Sequence, residues 1–168
     1  MPLSDSILTR LQFQHETILE LITGLPEERL KQRVNPEKWS AFENIAHLAA
    51  YQPVFYRRLE VMESENDPGF ERYTAESDPL FPAYLEKPLT GLTGAIAHDR
   101  AAITAKLRAM NDATLQRAGI HPKFGRLTVE QWAEFFLLHE AHHLFTLFKL
   151  VRDLHTTDDA TGNGPGGK

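Results

Sequence analysis

Trp132, Phe136, His139, His143 and Leu147 recur at steps of three and four residues, which is the rhythm of one face of an α-helix. This stripe constrains the fold more than any other feature, because it sets two imidazoles in line with large apolar side chains on a face that must be buried. A strand cannot satisfy it, since successive strand residues point to opposite sides. The stripe therefore calls for facing helices, and any imidazole on it requires a polar partner once water is gone.

The rest of the chain supplies those helices. From Asp5 to Ile22 the residues Ile7, Leu8, Leu11, Ile18, Leu21 and Ile22 keep helical spacing, with Gly24 and Pro26 as the stop. One short turn is expected between Pro26 and Arg33. The turn Asn35-Pro36-Glu37-Lys38-Trp39 then delivers Ser40 as a cap, and Glu43 completes a capping box. The second helix should run to about Glu63, across Pro53. A third is expected from Leu92 to Ala109, and a fourth from a Thr128/Gln131 capping box to about Asp153.

Residues 64–90 contain Pro68, Pro79, Pro82 and Pro88 together with Phe70, Tyr73, Phe81 and Tyr84. This segment reads as a packed loop without regular structure that covers a site. Residues 111–127 read as a connector, and no segment shows two-residue alternation. The expected class is all-α, a four-helix bundle whose long loop between helices two and three permits non-adjacent connectivity. Residues 1–155 would form one domain, and the glycine-rich stretch 156–168 a disordered tail.

A chain of 168 residues suits a single self-sufficient core. It has no cysteine, which excludes disulfides, thiolate metal sites and a cysteine nucleophile. A net charge of -5 offers no broad basic surface for nucleic acid. No apolar run approaches the roughly 20 residues that span a bilayer, and Met1 to Ser6 do not read as a secretory leader. A soluble cytoplasmic protein that handles small molecules is the expectation.

His139 and His143 are four residues apart and stack one turn from each other. His47, amid the apolar stretch of the second helix, can supply a third ligand from a facing element. One divalent cation would satisfy all three imidazoles, and a hydrogen-bonded histidine cluster is the alternative. His142 lies about 100° around the helix from His143 and is not expected to be a ligand. The letters His139-Glu140-Ala141-His142-His143 also match a zincin metalloprotease pattern. The following His155 has the wrong spacing for it, and Glu140 reads as a solvated surface carboxylate.

The run His121-Pro122-Lys123-Phe124-Gly125-Arg126-Leu127-Thr128-Val129-Glu130-Gln131-Trp132, followed by His139 and His142-His143-Leu144, resembles the C-terminal half of the DinB-like superfamily. Trp39-Ser40 followed by His47-Leu48 resembles its second-helix motif. The resemblance, which includes bacillithiol transferase-like proteins, implies a four-helix bundle, often dimeric. It also implies a divalent metal held by His47, His139 and His143. Thr146 departs from the glutamine often found there. His121 belongs to the family's loop motif and reads as a structural hydrogen-bonding residue. His15 sits near the inward side of helix one, whereas His98 and His155 have no argued role.

Three neutral histidines leave open coordination positions, as in catalytic rather than structural sites. The thiol-transferase branch implies that a low-molecular-weight thiol binds there and attacks an electrophilic small molecule. The lack of cysteine agrees with sulfur coming from a cosubstrate. A metal-dependent hydrolase is the first alternative and needs a base, for which Glu43 and Tyr51 lie one turn either side of His47. A non-catalytic metal-binding or small-ligand-binding homodimer is the second. Zinc or nickel is the expected ion, with iron, manganese or copper also compatible with imidazole ligands.

Overall fold

The computed structural model describes the backbone of residues 3–162 and side chains as far as residue 156. Its helices are α1 (Asp5–Phe13), α2 (Thr17–Leu21), α3 (Glu27–Leu30), α4 (Ala41–Ser64), α5 (Phe81–Leu85), α6 (Leu89–Ala109), α7 (Asp112–Leu115) and α8 (Val129–Gly162). Both capping boxes form: Ser40 Oγ accepts from Glu43 N and Glu43 returns the bond to Ser40 N. Thr128 Oγ1 likewise accepts from Gln131 N, and Gln131 Oε1 from Thr128 N. α4 continues through Pro53.

The structure departs from the sequence reading in four places. The first expected helix is divided by one 3-10 turn, Gln14–Glu16, into α1 and α2. The supposed connector contains an antiparallel hairpin, β1 (Ala118–His121) with β2 (Gly125–Thr128), paired from Ala118↔Thr128 to His121↔Gly125. Its turn ends on Gly125 at φ 71, a left-handed conformation that glycine adopts without steric cost. Segment 64–90 is not wholly irregular either, since it holds a 3-10 turn at Ala75–Ser77 and α5, with Pro82 at the start of that helix, where proline is tolerated. Finally, α8 runs beyond Asp153 to Gly162, so part of the expected tail is helical, and 163–168 lie outside the described residues.

α1 packs against α6 and α8, and α4 against the same two helices. The order around the bundle is therefore α1, α6, α4, α8, with α1 facing α4 and α6 facing α8 across the diagonals. The long segment 64–90 thus joins neighbours, and the diagonal crossings are made by the connections before α4 and after α6.

The core divides into two apolar clusters. One contains Ile18, Ile45, Leu48, Leu92, Ile96, Leu144 and Leu147; the other contains Leu11, Tyr51, Phe55, Ile103, Trp132, Phe136 and Leu137. In each of the four long helical segments a polar residue falls where one cluster gives way to the other. Gln14 lies between Leu11 and Ile18, Gln52 between Leu48 and Phe55, Arg100 between Ile96 and Ile103, and Glu140 between Leu137 and Leu144. A polar layer crosses the bundle at mid-height, level with the histidines of α4 and α8.

Glu140 is 1% exposed and Arg100 0%, which corrects the reading of Glu140 as a surface carboxylate. The two form an ion pair. Gln14 Nε2 donates to Glu140 Oε2 at 2.8 Å, Arg100 Nε to Gln52 Oε1 at 3.3 Å, and the guanidinium lies 4.7 Å from the Phe136 ring. A buried pair with these additional partners offsets a desolvation cost that neither charge could bear alone.

Candidate metal centre

From its start at the Ser40 cap, α4 carries Asn44, His47, Tyr51, Phe55 and Arg58 at steps of three and four, all of them buried. Trp132, Phe136, His139 and His143 form the facing stripe of α8. Where the two meet, ring nitrogens of His47, His139 and His143 lie within 4.8 Å of one another. His47 Nε2 is 3.1 Å from His139 Nε2, and the ring of His47 lies 4.5 Å from that of His143, centroid to centroid. The structure thus brings together the three histidines named from the sequence and leaves His142, which is exposed, outside the group.

Burial drives all three rings to their neutral form. It lowers the pKa of His47 to about 4, of His139 to about 3 and of His143 to about 2, with the neighbouring imidazoles adding to the effect at His139 and His143. A neutral imidazole carries one lone pair, and its position at His143 can be deduced. Asn44 Nδ2 donates to Ser40 O at 2.8 Å, which turns Asn44 Oδ1 toward His143 Nδ1 at 2.9 Å. His143 must donate from Nδ1, so its lone pair sits on Nε2. An outer hydrogen bond that sets the tautomer of a ligand is a common feature of metal sites. Three neutral imidazoles with converging nitrogens fit one divalent cation.

The cluster opens into a cavity of about 600 Å³ that also involves Trp39, Tyr51, Arg58, Tyr73 and His121. Tyr73 stacks on His47 at 5.6 Å and Tyr51 packs on His139 at 4.7 Å. Trp39 touches His47 on another side and is itself backed by Phe81. Of the loop aromatics expected to cover the site, Tyr73 is in the wall and Phe81 is behind it. Phe70 instead meets Trp132 edge-on, 5.4 Å away, and Tyr84 is outside the cavity.

The remaining sequence candidates separate clearly. Glu43 is occupied by its cap and by Arg33. The Tyr51 hydroxyl accepts from Arg58 Nη1 at 3.2 Å, and burial raises its pKa. His121 Nδ1 accepts from the backbone N–H groups of Lys123 and Phe124, a structural role within the hairpin turn. His15 lines a different recess, against Ile18, Thr93 and Ile96. Thr146 Oγ1 donates to His142 O and does not line the cavity. The sequence reading missed Asn44 and Arg58, although both stand on the stripe that carries His47.

The uncharacterized protein YuaE of Bacillus subtilis (strain 168) is 27% identical over 135 residues, which is 73% of this chain and 83% of YuaE. Among solved structures, YfiT from Bacillus subtilis, described as a probable metal-dependent hydrolase with an unusual four-helix bundle topology, superposes with a TM-score of 0.77 at 18% identity. That match covers 90% of this chain and 87% of YfiT. A sequence model of the DinB superfamily matches residues 10–147, so the chain belongs to that superfamily.

Proposed function

We propose that the chain binds one divalent metal ion through His47, His139 and His143 and directs a low-molecular-weight thiol onto an electrophilic small molecule. The observation that carries this reading is the convergence of three neutral imidazoles on a cavity large enough for such substrates. When bound, a divalent cation would supply Lewis acidity that lowers the pKa of a coordinated thiol toward neutrality.

The chain's own contribution is orientation and exclusion of water. Asn44 fixes the His143 ring, while Tyr51, Tyr73 and Trp39 give the substrates an apolar wall. In the transfer, sulfur forms a bond to the electrophilic carbon, the leaving group departs with its electron pair, and the thiol proton passes to solvent. Of the groups packed near the histidines, Glu43 and Glu140 are committed elsewhere and the Tyr51 hydroxyl is held protonated. Activation of water would therefore fall to exposed carboxylates of the rim, whereas a metal-bound thiol needs no such base.

Hydrolysis is the second reading, supported by the description of YfiT. It would draw on Glu71 or Glu76, the exposed carboxylates of the cavity rim. The test begins with elemental analysis of protein purified without an affinity metal, where about one ion per chain is expected. The loaded protein is then given monobromobimane with a panel of thiols, and separately a panel of activated esters without thiol. Thiol-dependent alkylation above the uncatalysed rate supports transfer; ester turnover without any thiol dependence replaces it by hydrolysis.

A further inference from the structure

Arg58 is buried, at 8% exposure, and lines the cavity. Its guanidinium carbon lies 5.8 Å from the Tyr51 ring, 5.4 Å from Phe70 and 5.2 Å from Trp132. Nη1 donates to the Tyr51 hydroxyl, and Nη2 donates to Glu71 O at 2.8 Å. Both acceptors are neutral, and a guanidinium has five N–H donors. No carboxylate among the described residues pairs with it. Arg100, the other deeply buried arginine, meets Glu140. A buried charge without a counter-ion is costly, and this one lies on the α4 stripe of His47, in the same cavity.

We propose that Arg58 is the anion-recognition residue of this cavity, so that the natural ligand carries a carboxylate or similar anion a few bonds from its metal-binding atom. The inference rests on the metal site proposed above. Arg58 lines the same cavity as His139 and His121. The acidic side chains nearby form no ion pair with it: Glu71 and Glu76 are exposed, half-buried Asp78 accepts from the Tyr73 hydroxyl, and Arg58 meets Glu71 through its backbone carbonyl. A ligand anion would take the free donors in the forked geometry that arginine offers to carboxylates. A purely structural arginine would tether Glu71 and discriminate nothing.

The test uses the full chain loaded with cobalt(II) and two probes of equal size, 3-mercaptopropionate and 3-mercaptopropionamide. Binding is read from the sulfur-to-cobalt charge-transfer band, and cobalt content is measured separately. The acid should bind at least about tenfold more tightly than the amide, in keeping with a charge-assisted hydrogen bond. In Arg58→Met the preference should vanish with cobalt content unchanged, and in Arg58→Lys part of it should remain. Equal affinity for the two probes in the parent overturns the proposal. So does a preference that survives in Arg58→Met, since the metal itself would then be selecting the charge.

If Arg58→Met does not fold, the parent and Arg58→Lys decide: a preference reduced several-fold supports the assignment and an unchanged one overturns it. If neither thiol gives the band although cobalt is bound, the thiol reading has failed, and 3-phenylpropionate against 3-phenylpropionamide, read by the visible cobalt spectrum, decides the role of Arg58. An acid preference lost in Arg58→Met sustains it, and no preference or no binding of either compound overturns it.

Discussion

On one side of α8, Glu140 meets Arg100, with Gln14 and Gln52 completing the set; on the other, one residue earlier, His139 meets His47 and His143 through nitrogens that face each other. Both groups are polar, both interrupt an apolar core and both sit at the same height in the bundle. The first is closed, because a charge of each sign and two amides leave little for an outside molecule to add. The second is open, since three neutral imidazoles converge with no cation from the described residues between them. Burial of polar groups thus marks a site only where the protein leaves them wanting a partner.

Breaking the closed set should have the largest effect on stability. Glu140→Gln leaves Arg100 buried without its counter-ion and should cost about 3–5 kcal/mol, read by urea denaturation of metal-free protein. A loss below about 1 kcal/mol would show that the network is dispensable to the fold.

Breaking the open set should instead be felt by the metal. His143→Ala should weaken metal binding by more than the about 10–100-fold typical of an outer partner, measured with a competing chelator, while the metal-free protein stays folded. Equal metal content in the variant and the parent would remove His143 from the site.

Acid should distinguish the two groups in metal-free protein. The folded pKa values of His47, His139 and His143 are depressed, to about 4, 3 and 2, below the unfolded value of about 6.5. Below pH 6.5 the unfolded chain therefore takes up protons that the folded chain refuses. Stability should fall by roughly 3–4 kcal/mol between pH 7 and pH 5.5, about a third of it from each histidine, and the His143→Ala variant should lose less. Stability that is flat over this window would contradict the depressed values.

Asn44→Ala should reduce metal affinity by about 10–100-fold, as expected for an outer partner of a ligand, with Asn44→Asp keeping more of it because the acceptor remains. The smallest effect is expected at His142, where replacement by Ala should leave metal binding unchanged by titration. A loss comparable to that of His143→Ala would mean that α8 is rotated relative to its description here.

The amphipathic helices and their caps were legible because the three-four rhythm and the Ser40/Glu43 and Thr128/Gln131 pairs are local. The histidine cluster was legible for a related reason, since an imidazole on a buried stripe has few ways to be satisfied. Glu140 was misread by letting its charge outweigh its position. It falls in line with Phe136, Leu137 and Leu144, just as Arg100 falls between Ile96 and Ile103. Its partner, however, is on another helix, and no local pattern records that. The hairpin was hidden by the brevity of its strands, although a short turn containing Gly125 was a usable signal.

One small junction bears on how this site can change over time. Gly69 pairs with Ile120, with Ile120 N donating to Pro68 O and Phe70 N to Ile120 O. At Gly119 a Cβ would lie 2.5 Å from the Phe70 ring, so a larger residue there requires that ring to move. The stretch after Phe70, including Tyr73, is therefore held at its root by the hairpin that carries His121, and it forms cavity wall without contributing a ligand. Drift in length or composition between Glu71 and Leu80 should reshape this wall and leave in place the three histidines, which stand on α4 and α8. Variation among relatives should concentrate there, changing the shape of the cavity around an unchanged histidine cluster.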